Sequence, residues 1–113
     1  MTIHAPRMHQ LGMVSFDGRE LYIGSERIAT FDHAVADAFE NRSLIIVLLD
    51  PNANLKVPFP NLLAVDEAGR QVWVAKLPTY KKADVYYKIA SRDPLVAYSF
   101  SCYDCKIDPL TGK

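Results

Sequence analysis

Asn61-Leu62-Leu63-Ala64-Val65-Asp66-Glu67-Ala68-Gly69-Arg70-Gln71-Val72-Trp73-Val74-Ala75-Lys76-Leu77 is the stretch on which the reading of the fold turns. Two apolar runs, 61–65 and 70–77, flank Asp66-Glu67-Ala68-Gly69, a loop with glycine where a tight reversal needs φ > 0. That pattern is a β-hairpin. Side chains alternate across a strand, so one face of the second run carries Trp73, Ala75 and Leu77 and the other Val72 and Val74.

The same pattern extends outward in both directions. Leu44–Leu49 is an unbroken apolar run ended by Asp50-Pro51. Runs 85–90 and 95–101 flank Ser91-Arg92-Asp93-Pro94, and 105–108 leads into Pro109-Leu110-Thr111-Gly112. Upstream, Leu11–Phe16 and Arg19–Ile23 are joined at Asp17-Gly18, a strong short hairpin signal, and Gly24-Ser25 follows. About seven short strands in sequential turns describe a mainly β fold, an antiparallel meander in one blade-like or barrel-like sheet. One segment breaks the pattern. Phe31, Val35, Ala38 and Phe39 fall on a helical stripe, which predicts a short helix near 31–40, with a hairpin turn at Glu40-Asn41-Arg42 as the alternative.

Composition bounds the rest. At 113 residues the chain makes one domain, taken as 11–113 behind an N-terminal tail at 1–10. Half the residues are hydrophobic, too many for a disordered chain. Thirteen basic and thirteen acidic residues cancel, so no long-range field steers the chain to nucleic acid or an anionic membrane. Lys81-Lys82 beside Tyr80, Tyr86 and Tyr87 resembles a base-stacking surface, but neutral net charge sets nucleic acid aside. No apolar run approaches the roughly 20 residues of a membrane helix, and no signal-peptide core is visible. A soluble, cytoplasmic protein is expected.

Neither face of the strands alternates with polar residues as a half-solvated sheet would. Residues 95–101 present Leu95, Ala97 and Ser99 on one side and Val96, Tyr98 and Phe100 on the other. The second apolar face needs a cover, which predicts self-association, a homodimer, through Val72, Val74, Val96 and Tyr98. If the strands run alternately up and down, connections 51–60, 78–84 and 101–104 share one end. That end gathers Phe59, Tyr80, Lys81, Lys82 and Tyr103, the candidate small-molecule site. Cys102-Tyr103-Asp104-Cys105 offers two thiols at a turn, and no second Cys pair completes the four ligands of a zinc site. His33 between Asp32 and Asp37 has no nucleophile at recognisable spacing. No catalytic residue, metal or cofactor is therefore assigned.

The hairpin Asn61–Trp73, with its strand, Asp, Gly turn and Trp, resembles a blade repeat of quinoprotein-type β-propellers. Ile107–Lys113 is similar to the closing turn of that repeat. The resemblance spans about residues 44–113 and implies a local β-meander. A propeller needs several blades and one is present, so no quinone cofactor follows. The whole chain also resembles small uncharacterised bacterial single-domain proteins of the integron-cassette type. The expected function is an interaction module that self-associates through its sheet, with small-molecule binding at the long-loop end as the alternative.

Overall fold

The computed structural model describes residues 13–52, 59–79, 84–101 and 103–113; the expected tail at 1–10 lies outside them. The fold is all β. Its ten strands are β1 (Val14–Asp17), β2 (Glu20–Ile23), β3 (Glu26–Thr30), β4 (Val35–Asn41), β5 (Leu44–Leu49), β6 (Leu62–Val65), β7 (Gln71–Val74), β8 (Tyr86–Arg92), β9 (Leu95–Ser99) and β10 (Asp104–Lys106). They form three antiparallel meanders, β1-β2-β3, β4-β5-β6-β7 and β10-β9-β8. The expected meander is present, but it is cut into three sheets.

The unbroken apolar run of β5 is explained by layering. Ile45, Val47 and Leu49 pack with Leu63, Val65 and Val35 against Leu21 of the N-terminal sheet, where Val14, Ile23, Ile28 and Ala29 complete the contact. Ile46 and Leu48 face the other way and pack with Phe39, Leu62, Ala64 and Trp73 against Tyr86, Leu95, Ala97 and Ile107. The central sheet is thus covered on both faces by the chain's own outer sheets. Period-2 alternation fails in β5 and β6 because both faces are core.

The helix expected near 31–40 is not formed; among the described residues there is no helix, and that segment is β4. Val35 pairs with Leu49, Asp37 with Leu48 and Phe39 with Ile46, with a register shift between Val35 and Asp37. The extra residue changes the parity of the strand. Val35 and Phe39, four apart, therefore enter opposite cores, and their spacing imitates a helical stripe. The alternative, a hairpin, is the arrangement present. Asn41 pairs with Leu44 around Arg42-Ser43, and Arg42 has φ 58°.

The sheets are tied together at defined points. Asn61, fully buried, donates from Nδ2 to the carbonyls of Leu49 (2.9 Å) and Tyr86 (2.8 Å) and accepts the Tyr86 N–H at Oδ1 (2.8 Å). One side chain thus stitches the ends of β5 and β8. Gly69, at φ 85°, lies so close to β3 that a Cβ there would collide with the Ile28 carbonyl oxygen. Phe59 bridges Val85, its N–H bonds the Asp84 carbonyl, and Phe100 N–H bonds the Val85 carbonyl. Segment 84–85 thus lies between Phe59 and Phe100.

Candidate functional site

Those residues singled out from sequence that the structure describes are dispersed over its three sheets. Phe59 is half-buried, its ring edge-on to His33 at 4.8 Å and packed on the N-terminal core. Tyr103 is exposed at the β9–β10 hairpin. Tyr80, Lys81 and Lys82 lie outside the described residues, as does Cys102. The buried carboxylate at this end belongs to Asp84: Oδ2 accepts from the Thr79 N–H (3.2 Å) and hydroxyl (2.6 Å), while Oδ1 makes no hydrogen bond.

Val72, Val74, Val96 and Tyr98 do not share a face. Val74 sits opposite Leu63 on the N-terminal side of the central sheet, and Val72 falls at the register shift of edge strand β7. Val72 is 47% exposed and Val74 38%. Val96 and Tyr98 belong to the C-terminal sheet. There Leu95, Ala97 and Ser99 turn inward and are buried, which sends Val96 and Tyr98 outward.

Around that second pair the structure assembles an aromatic surface. Tyr87, 53% exposed, stands edge-on to Tyr98 with ring centroids 6.5 Å apart. Lys88 Nζ lies 6.0 Å from the Tyr98 centroid. Phe100, next in the alternation after Tyr98, is 59% exposed. Asp104 and Lys106 pair across from Tyr98 and Val96 and give this face a polar border. The sequence reading placed Phe100 on this face but omitted Tyr87, which a register shift between Tyr86 and Lys88 turns outward.

Among the described residues, two hollows lie beside the C-terminal segment. One groove, of about 450 Å³, runs between β7 and β10 and is lined by Val74, Lys76, Pro78, Tyr86, Cys105 and Ile107 together with the C-terminal residues Lys106 and 111–113. Gly112 in its lining lies against Trp73, so closely that a Cβ would approach the indole to 2.6 Å, and the Trp73 Nε1–H bonds the Pro109 carbonyl at 2.9 Å. Inside, the Tyr86 hydroxyl donates to the Lys76 carbonyl. Burial pushes the Tyr86 phenol well above its ordinary range, with the neighbouring Cys105 and Asp84 adding to it. The Cys105 thiol, half-buried and free, is also raised, first by burial and then by Asp84 and Asp104. A second hollow, about 440 Å³, shares Lys106, Ile107 and Lys113 and adds Arg42, Asp93, Pro94, Leu95, Asp108 and Pro109. Among the described residues, no cluster of three or more His, Cys, Asp or Glu side chains is placed to hold a metal ion, and no helix is long and apolar enough to cross a membrane.

The chain belongs to a family described as a domain of unknown function, DUF7957, whose model matches residues 11–113. No curated protein and no solved structure matches it.

Proposed function

We propose that this domain is an interaction module that self-associates through the outward face of its C-terminal sheet. The observation carrying this reading is the exposure of Tyr87 on β8 and of Phe100 just past the end of β9, beside Tyr98 and Val96. An antiparallel sheet with one solvated face ordinarily sets polar residues there. A cluster of exposed aromatics is the composition of a contact surface, and its charged border of Lys88, Asp104 and Lys106 resembles an interface rim. A flat β face can meet its own copy across a two-fold axis, and zero net charge does nothing to hold copies apart.

Both faces of β5 and β6 are closed internally, so their apolar runs do not call for a second molecule. What supports association now is the outer aromatic face, at about 25 cal/mol per Å² of apolar area buried, less the cost of association. Light scattering coupled to size exclusion tests it. The wild type is expected at twice the chain mass and the Tyr87→Ser/Phe100→Ser variant at the chain mass with unchanged circular dichroism. A wild type that stays at single-chain mass at the highest attainable concentration overturns the reading.

A further inference from the structure

The groove between β7 and β10 has a composition that the aromatic face does not explain. The chain as a whole balances thirteen basic against thirteen acidic residues. The groove lining does not: it carries Lys76, Lys106 and Lys113 and no Asp or Glu. The adjoining hollow provides the contrast, since there Arg42, Lys106 and Lys113 are accompanied by Asp93 and Asp108. All three groove lysines are exposed, so their ammonium groups stand at the rim. Asp84 is buried and does not line the groove.

Below the rim the lining is apolar: Val74, Pro78, the Tyr86 ring and Ile107, with the Cys105 thiol among them. The Tyr86 hydroxyl is already committed to the Lys76 carbonyl, so it is not free to read a polar ligand. A largely apolar floor, with the Cys105 thiol and the Thr111 hydroxyl as its polar side chains beside Tyr86, and a cationic rim together make up the groove. They fit a molecule with a long apolar body and one anionic end. The volume, about 450 Å³, lies within the range of small-molecule sites, roughly 300–1,000 Å³.

We infer that this groove binds a straight-chain carboxylate of medium length, its acyl chain on Pro78, Tyr86 and Ile107 and its carboxylate among Lys76, Lys106 and Lys113. The site shares Lys106 with the border of the aromatic face but none of its aromatic rings. Apolar burial supplies most of the affinity, and the exposed ammonium groups supply selection for negative charge.

The test titrates the full chain with decanoate, decanol and decylammonium by calorimetry at low salt. Saturable one-to-one binding of decanoate is expected, with decanol weaker by about tenfold and decylammonium weaker still, as partly exposed ion pairs allow. The Lys76→Gln/Lys106→Gln variant, altered only at exposed positions, should lose that tenfold for decanoate and keep its affinity for decanol. Saturating decanoate should also slow alkylation of Cys105 by iodoacetamide, read on its own peptide by mass spectrometry. Equal affinity of decanoate and decanol, an unaltered lysine variant, an unprotected Cys105, or no saturable binding would each overturn the assignment. Repeating the titration with Tyr87→Ser/Phe100→Ser separates the two sites, because its decanoate affinity should match the wild type.

Discussion

Replacing Asn61 with alanine should cost this domain a large part of its stability, because one side chain satisfies three backbone groups in two different sheets. The Leu49 and Tyr86 carbonyls lose their Nδ2 donor, and the Tyr86 N–H loses its Oδ1 acceptor. Asn61 is fully buried and Tyr86 and Leu49 nearly so, which keeps water from taking its place. A buried polar group left unsatisfied costs about 1–3 kcal/mol. Three such groups, with partial relaxation, suggest a loss of about 3–6 kcal/mol from a total that for domains of this kind is about 5–15 kcal/mol. Urea unfolding read by the fluorescence of Trp73, the single tryptophan, measures it directly. The transition should move to lower urea with its slope unchanged.

Asn61→Asp sharpens the test. The carboxylate keeps an acceptor for the Tyr86 N–H but directs negative charge at two carbonyl oxygens. Its folded-state pKa is therefore raised above the unfolded value. The folded state then binds more protons than the unfolded state, so stability must fall as pH rises through the carboxylate range. Asn61→Asp should be closest to wild type under mild acid and furthest from it at neutral pH. A loss below about 1 kcal/mol for Asn61→Ala, within the ordinary effect of a surface change, would refute the claim that this side chain joins β5 to β8.

Two further outcomes follow from the same geometry. Gly69→Ala should lose at least about 2 kcal/mol, from strain at positive φ added to collision with Ile28, whereas Gly18→Ala, at φ 59° with open space around it, should lose only the backbone term; thermal melts of both variants compare them. Asp66, held below the usual carboxylate range chiefly by the Arg70 N–H, with the Ala68 N–H and the Arg70 guanidinium assisting, contributes stability above its unfolded pKa that is lost as pH falls through the folded value. The stability gap between wild type and Asp66→Ala should therefore narrow between neutral pH and strong acid, as urea titrations at the two extremes would show.

The local turns were legible because each has a chemical signature. Asp66 Oδ1 accepts from the N–H groups of Ala68 and Arg70, the Asx geometry that makes the 66–69 loop readable in advance. The two-residue loop after Asp17 is similarly marked by Gly18. β3 went unread, although Gly24-Ser25 is its turn signal, because Glu26-Arg27-Ile28-Ala29-Thr30 has one large apolar residue and so little periodicity. The outward turn of Val96 and Tyr98 was legible from the alternation of β9. The groove was not, since Val74, Tyr86 and Ile107 come from separate strands and meet only when two sheets close on each other.

Register shifts account for most of what composition conceals. They occur at Leu21/Tyr22, Val35/Asp37, Ala64/Val65, Tyr86/Lys88 and Ile89/Ser91. Each inserts a residue that has no opposite number and so reverses which later side chains meet a given layer. In a two-layer sheet that would drive apolar residues into water. Here the central strands have a core on either side, so Val35 can serve one layer and Phe39 the other without exposing either. A shift in the outer sheet has no second core to receive what it displaces, and Tyr87 is the result. An irregularity absorbed in the middle of the molecule thus becomes, at its surface, an exposed aromatic ring beside Tyr98, which is why the candidate interface lies where strand pairing is interrupted.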